Sequence, residues 1–374
     1  MLIHHGSPLR FPCSYYLGKG NFMNFATIKK SLAIGASLVF ASVGLSAQAA
    51  HAAVITINLY EAIGYAPDEI KAFNASQSMY QVVDVGGSTG PLLAKVAAEG
   101  TNPQWGLFWA DGDTWAAAAD TAGNLAPLNF KPTYSSLGKR LAPKNNAYAI
   151  TGSTVMVAGL YNAAKMTNPP VPLQAMLRSG YKGQIGMNDP NISGPTYPFI
   201  AGLMNQLGSE DAGKNYLLAL KKNGLVINDK NGPTIHALEI GQINMGLVQN
   251  TAAIAEVIKF TAAPVAGFKP TIVYPGRPTL MPSSLAIDAK RPAAEIAGAQ
   301  AFIKYVLSPA GQSILASTDA TKNSDVLCYP SIVGTTPNKY VPAMPKAYQI
   351  IDPYKWGPLQ SEVDAWFTAN IRTK

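Results

Sequence analysis

Residue types that carry metal and redox chemistry are scarce in this sequence. Among its 374 residues there are 2 cysteines and 4 histidines, and only 13% of the residues are charged. Cys13 falls in the leader described below, which leaves Cys328 as the single later thiol, so no internal disulfide can form there. His236 is the only histidine after the leader, so nitrogen and sulfur ligands for a transition metal are few. We therefore expect no metal and no cofactor.

The first 52 residues have the pattern of an export leader. From Met23 the sequence runs through two lysines, an apolar stretch and the small-residue triplets AQA and AHA. This order is typical of a secretory signal peptide, here over 23–52. The apolar stretch is shorter than the roughly 20 residues that a membrane-spanning helix needs. We expect residues 1–22 to precede the true start and the mature chain to begin near Ala53 as an exported protein.

The charge balance argues against a nucleic-acid partner. Four of the 29 basic residues lie in the leader, which has no acidic residue, so 25 bases remain against 21 acids. Such a mild and evenly spread excess predicts no nucleic-acid binding and a slight preference for small anions.

Short strand patterns alternate with helical ones after the leader. VITINLY over 54–60 alternates like a strand, APDEIKAFNAS follows with helical spacing, and a later helix is predicted from Thr196 to Leu207. This rhythm predicts an α/β fold with mostly parallel sheets flanked by helices. Long extended stretches at 146–162 and 270–287 interrupt it, the second broken by prolines, and we expect them to cross between two lobes.

These interruptions predict the domain limits. The expected parts are a leader over 1–52, lobe I over 53–152 and 277–325, lobe II over 153–276, and a C-terminal segment over 326–374 that packs on the lobes.

Two similar turns carry the functional prediction. In GGSTGPLLAKV, Ser88 or Thr89 can cap a helix, Pro91 suits its first turn, and Gly90 permits close backbone approach. NISGPTYPFI repeats this chemistry at a second strand-to-helix turn with Ser193, Gly194 and Thr196. Each turn is also compatible with an ordinary capped helix. Because ligands of such sheets bind beyond the carboxyl ends of the strands, we expect both turns to face one crevice and to grip an anion with two helix amino ends.

Three segments in order resemble a known family. They are GGSTGPLLAKVAAEGTNPQWGLFWADG, GYKGQIGMNDPNISGPTYPFIAGLMNQLG and PAAEIAGAQAFIKYVLSPAGQSILAS. Together they are similar to bacterial extracellular solute-binding proteins, the periplasmic binding components of ABC importers, in the branch that resembles ferric-iron, polyamine and phosphonate binders. The resemblance implies a two-lobed fold of the type II kind that closes on one ligand, permease partners in the membrane, and no enzyme activity. We expect a monomer.

Other turns are expected to line the same crevice. Carboxylates on the lobe I turns could pair with an amine, and the candidate ligand-binding residues are Tyr60, Glu61, Ser88, Thr89, Gly90, Trp109, Asp111, Ser193, Gly194, Thr196, Asn250, Thr251, Tyr274 and Arg277. A phosphonate or phosphate ester with an amine, such as 2-aminoethylphosphonate, would use both the helix ends and the carboxylates.

Three alternatives remain open at this point. Ferric-iron members of the family carry adjacent tyrosines where this chain reads QNTAA, so iron is a minor alternative. A polyamine would use the carboxylates but not the helix ends. A secreted carboxylate-dependent hydrolase is the alternative from another class, since Asp and Glu are plentiful although no G-x-S-x-G or H-E-x-x-H motif is present.

Overall fold

Strands and helices alternate along residues 53–372, which are the residues described by a computed structural model of the chain. The strands are β1 (Ile55–Glu61), β2 (Tyr80–Gly86), β3 (Leu107–Asp111), β4 (Leu125–Ala126), β5 (Tyr148–Met156), β6 (Ala158–Asn162), β7 (Ile185–Asn188), β8 (Val226–Asn228), β9 (Met245–Val248), β10 (Pro270–Val273), β11 (Thr279–Asp288) and β12 (Tyr329–Pro330). The helices are α1 (Ala66–Ser76), α2 (Thr89–Glu99), α3 (Thr114–Thr121), α4 (Ser136–Leu141), α5 (Thr196–Leu207), α6 (Glu210–Lys222), α7 (Asn231–Glu239), α8 (Asn250–Ala262), α9 (Ala293–Val306), α10 (Pro309–Ser317), α11 (Pro353–Trp356) and α12 (Gln360–Phe367).

Local capping chemistry sets several of these boundaries. The predicted bounds of α5 are confirmed at both ends, and Gly208 ends the helix with a left-handed φ of 97°. α6 begins where the Ser209 hydroxyl accepts a hydrogen bond from the backbone nitrogen of Ala212 at 3.1 Å. Such a cap satisfies one of the free N–H groups of the first turn, so the sequence pattern and the helix start agree.

Two sheets define two lobes, as the fold class predicted. The larger lobe has a seven-stranded sheet of order β12-β5-β11-β3-β1-β2, with β4 paired to β11, and the smaller lobe has a five-stranded sheet of order β10-β6-β9-β7-β8. Within each sheet three strands are parallel, namely β1, β2 and β3 in one and β7, β8 and β9 in the other. The remaining pairs are antiparallel. The sheets are therefore mixed rather than mostly parallel, because the strands that lead across the lobes run back against their neighbours.

Three stretches of chain pass between the lobes side by side. β5 leads to β6 after Met156, and β10 leads back to β11 at Thr279. Met156 pairs with Thr279, and Thr279 in turn forms a bridge with Gln349. The third stretch is the segment around Gln349. The backbone nitrogen of Leu280 donates to the carbonyl oxygen of Gln349 at 2.8 Å, and the backbone nitrogen of Gln349 donates to the carbonyl oxygen of Pro278 at 2.9 Å.

Each lobe has its own apolar core. In the larger lobe Ile57, Leu107 and Phe302 are among the fully buried side chains. The core of the smaller lobe includes residues of the C-terminal segment, so the end of the chain packs there through Trp356, Val363 and Phe367. Cys328 is 2% exposed, and burial raises the pKa of its thiol to about 12, whereas reactive thiols have lowered values.

No helix within residues 53–372 combines the length and the apolar character needed to cross a membrane.

A buried acid in the larger lobe makes stability depend on pH. Glu69 on α1 is 0% exposed, and neither carboxyl oxygen has a partner among the described residues. Burial, with a contribution from Asp68, raises its pKa from 4.5 to about 8. The native state therefore binds this proton more tightly than the unfolded chain does, so stability falls as pH rises from about 4.5 to about 8 and then levels off.

We expect Glu69→Gln to remove this pH dependence because the amide has no charge to bury. Urea unfolding should give similar free energies for both proteins near pH 4.5, and above pH 8 the variant should be more stable by at least about 1.4 kcal/mol, the value of one pKa unit. Parallel stability curves for the two proteins across this range would contradict the assignment.

Candidate functional site

The lobes meet at the carboxyl ends of their parallel strands, where side chains hydrogen-bond across the interface. Asp111 is the last residue of β3, and Gln249 follows β9 in the other lobe. Gln249 Nε2 donates to Asp111 Oδ2 at 2.8 Å and to Thr154 Oγ1 at 3.1 Å. The Ser283 hydroxyl donates to Asp111 Oδ1 at 2.5 Å. These side chains are all buried, at the edge of the sheets where ligands of α/β proteins bind.

A chain of amides continues from this contact into the smaller lobe. Asn231 Nδ2 is 3.5 Å from Gln249 Oε1, and Asn188 Nδ2 donates to Asn231 Oδ1 at 2.7 Å. Asn188 Nδ2 also lies 3.3 Å from Ser193 Oγ, and Thr234 donates to Asn188 Oδ1 at 2.7 Å. Ser193, a predicted site residue, is thereby connected to Asp111 through hydrogen-bonded side chains.

The two glycine-containing turns face each other across the lobes, as the sequence predicted. The backbone nitrogen of Gly90 lies 3.4 Å from the carbonyl oxygen of Ile192. A Cβ at Gly90 would overlap the carbonyl oxygen of Asn191, and a Cβ at Gly194 would overlap the side chain of Thr89. Only glycine permits backbone approach this close, so these positions control how closely the lobes can meet.

Polar atoms without partners lie at the starts of two helices in the smaller lobe. Thr196 Oγ1 at the start of α5 and Thr251 Oγ1 at the start of α8 are buried and have no hydrogen-bond partner among the described residues, whereas the Asn250 amide lies beside the Tyr329 hydroxyl. The other Asn250 side-chain atom, Oδ1, accepts from the backbone nitrogen of Val155 at 2.8 Å. Free donors at helix amino ends favour a negatively charged group.

Carboxyl groups without a basic partner lie on the larger-lobe side of the interface between the lobes. Burial raises the pKa of Asp111 to about 7, and nearby Asp325 contributes to the shift. Burial likewise raises the pKa of Glu61 to about 7, opposed by a hydrogen bond from the backbone nitrogen of Ile63 and assisted by Asp84. Asp325 accepts from the backbone nitrogen of Gly64 at 2.8 Å, and burial raises its pKa as well. Among residues 53–372, no lysine or arginine forms an ion pair with Glu61, Asp111 or Asp325.

Four of the predicted residues make no direct hydrogen bond to the side chains of this network in the described part of the chain. The Tyr60 hydroxyl donates to Glu99 at 2.5 Å, and Trp109 donates its indole hydrogen to Thr151 at 3.1 Å, within the core of the larger lobe. Trp109 lies two residues before Asp111 on β3, and its ring packs in the core against Tyr65 and Phe302. Tyr274 is half-buried beside the larger core, and Arg277 is exposed.

Several network residues were not among the sequence candidates. Asn188 ends β7 just before the predicted turn, so its position at a strand's carboxyl end could have identified it. Asn231 is the first residue of α7, which follows the edge strand β8. Polar residues are common at helix starts, so the sequence did not distinguish it. Asp325 lies in a short 3₁₀ turn far along the chain, and no local pattern distinguishes it. Within the described part of the chain, no group of three or more His, Cys, Asp or Glu side chains is arranged to hold a metal ion.

The pattern of a known family covers most of this chain. Residues 68–322 match the family described as bacterial extracellular solute-binding protein. The chain belongs to this family. The resemblance predicted from the three sequence segments is therefore confirmed, and the two-lobed architecture agrees with it.

Relatives of this solute-binding protein share its fold or part of its sequence. The phosphoglycerate transport regulatory protein PgtC of Salmonella typhimurium is 28% identical over 207 residues, which are 53% of this chain and 48% of PgtC. The chain thus spans about half the length of the curated relatives it matches. Among solved structures, the periplasmic binding protein P5PA aligns with a TM-score of 0.70 at 21% identity, over 85% of this chain and 99% of P5PA.

Two further solved structures have the same fold. Iron-bound HitA from Pseudomonas aeruginosa aligns with a TM-score of 0.65 at 20% identity, over 85% of this chain and 99% of HitA. AfuA from Actinobacillus pleuropneumoniae, with exogenous fructose-6-phosphate bound, aligns with a TM-score of 0.67 at 18% identity, over 86% of this chain and 99% of AfuA.

Gly90→Ala should keep the lobes from meeting, because the added methyl group would overlap the Asn191 carbonyl. We expect faster hydrogen exchange in the turn after Asn188 and a larger radius of gyration by X-ray scattering, with little change in the melting temperature. Gly232→Ala on α7 is the control, since open space surrounds that position. Identical exchange in the wild type and Gly90→Ala would argue against the turn contact.

Proposed function

We propose that this protein is the periplasmic solute-binding component of an ABC importer and that it captures a small organic anion carrying an amine. A phosphonate or phosphate ester such as 2-aminoethylphosphonate is the ligand class that suits the site best. The observation that carries this proposal is the meeting of the turns at Thr89 and Gly194, which brings helix amino ends from both lobes to one interface.

The anionic end of the ligand is assigned to the helix starts. The amino ends of α2, α5 and α8 each supply free backbone N–H groups and a partial positive charge. The unpartnered hydroxyls of Thr196 and Thr251 and the Asn250 amide add neutral hydrogen-bonding groups there. The names of the relatives support phosphate esters, because PgtC is named for phosphoglycerate transport and AfuA holds fructose-6-phosphate.

The amine is assigned to the carboxyl groups of the larger lobe. Asp111, Asp325 and Glu61 are close enough to influence one another and lack a basic partner within residues 53–372. An ammonium group beside them would favour their charged forms and offset the cost of burying them.

Binding would act through lobe closure. A ligand that contacts Asp111 on one lobe and the α5 and α8 helix starts on the other favours the closed arrangement over the open one by its contacts with both. Permease subunits of the importer would then recognise the closed form. Solute capture of this kind requires binding and release without a chemical step.

A polyamine is the second candidate, favoured by the carboxyl groups alone. It would engage Asp111, Asp325 and Glu61 but leave the hydroxyls of Thr196 and Thr251 without partners.

Removing a hydroxyl from either turn should weaken phosphonate binding. We expect Thr89→Ala and Ser193→Ala each to lower the affinity for 2-aminoethylphosphonate by about 1 kcal/mol or more, the scale of a hydrogen bond to a charged group. Calorimetry provides the measurement, with Thr261→Ala on the exposed end of α8 as the control. Unchanged affinity in both turn variants would refute the anion assignment.

Comparing ligands tests the amine assignment separately. Asp111→Asn should weaken 2-aminoethylphosphonate by about tenfold or more while leaving ethylphosphonate, which lacks the amine, nearly unaffected. Putrescine that binds more tightly than either phosphonate would favour the polyamine candidate instead.

A further inference from the structure

A cavity lies apart from the lobe interface, between the larger lobe and the C-terminal segment. Its volume is about 570 Å³. The end of α4, the start of β5 and residues 350–354 surround it, and its lining includes Asp113, Lys144, Tyr148 and Asp352. It shares no lining residue with the network between Asp111 and Ser193.

Asp113 supplies a buried acid that opens onto this cavity. The residue is 5% exposed and stands at the cap position of α3, yet its side chain makes no capping hydrogen bond. Among residues 53–372, no other residue donates a hydrogen bond to its carboxyl group, and no lysine or arginine forms an ion pair with it. A buried carboxylate whose one hydrogen bond comes from its own backbone nitrogen is costly, so a cationic group in the cavity would lower the free energy of this side chain.

The groups around Asp113 differ in charge from the floor of the cavity to its rim. The Tyr148 hydroxyl is buried close to Asp113 and lies beside the Tyr354 hydroxyl. Asp352, at the rim, accepts a hydrogen bond from the backbone nitrogen of Tyr354 at 3.0 Å. Lys144 is exposed and forms no ion pair within the described residues, whereas Arg140 is engaged with the Tyr348 hydroxyl at 2.7 Å. The floor is therefore acidic, and the lining also holds two cations, Lys144 and Arg140, that form no ion pair within residues 53–372.

We propose that this cavity is a second ligand site for a small zwitterion, whose ammonium group contacts Asp113 and whose anionic group lies toward Lys144. A simple amine would pair with Asp113 but leave Lys144 unused, and a simple anion would do the reverse. A molecule that carries both charges can engage both residues. The site is independent of the solute proposed for the lobe interface.

The acidity of Asp113 agrees with this assignment. Burial, followed by the repulsion of Asp352, raises its pKa to about 7. An ammonium group would stabilise the charged carboxylate and lower that pKa, so binding near neutral pH should release protons.

The test measures binding of zwitterions to the full chain by calorimetry and ligand-observed NMR. The probes are glycine, 4-aminobutyrate and 6-aminohexanoate, with butyrate and butylamine as single-charge controls. We expect at least one zwitterion to bind about tenfold more tightly than both controls, and Asp113→Asn and Lys144→Gln each to weaken it by about tenfold. Because Lys144 is exposed, its variant carries the test even if Asp113→Asn fails to fold.

Matched variants separate the two sites. Asp111→Asn, two residues away and facing the lobe interface, should leave zwitterion binding unchanged, and crystals soaked in the zwitterion should place its nitrogen against Asp113. The proposal is overturned if no probe binds up to about 10 mM, if Lys144→Gln binds as the wild type does, or if Asp111→Asn abolishes the binding.

Discussion

The close contact between the lobes at Gly90 and Gly194 is the constraint on which the rest of the site depends. Because neither position has a Cβ, Gly90 lies against the backbone of Asn191 and Gly194 lies against the side chain of Thr89. That approach brings Gln249 within 2.8 Å of Asp111 and buries the polar side chains around them. Burial in turn raises the pKa values of Asp111 and Glu61. The geometry of two turns thus sets the electrostatics of the whole interface.

The C-terminal segment holds one of these turns in place. Asp189, which is fully buried, forms an ion pair with Arg372 near the end of the chain. Asn191 donates to Asp189 Oδ1 at 2.9 Å and to Thr368 Oγ1 at 3.0 Å. The turn that meets Gly90 is therefore positioned by a helix remote from it in sequence, so the shape of the interface depends on the docking of the chain's end.

Local chemistry made part of this structure predictable. α5 begins and ends where its proline, threonine and glycine pattern indicated, and the two helix-start turns meet as expected. Contacts between distant segments were not predictable in the same way. Asp325 reaches the interface from a 3₁₀ turn late in the chain, and on one face of β3 the Trp109 ring packs in the core whereas Asp111, two residues later, hydrogen-bonds across the lobes. Such outcomes depend on sheet order and on the strand neighbours of each residue, which periodicity along one chain does not encode.

The three crossings that run side by side at Met156, Thr279 and Gln349 have a mechanical consequence. Three segments that lie side by side in one plane resist twisting and sliding, but they bend readily about an axis that crosses all three. This arrangement favours rotation of one lobe relative to the other about a single axis. The pairs of atoms that meet across the lobes, such as Gln249 Nε2 and Asp111 Oδ2, are thereby held against sideways displacement.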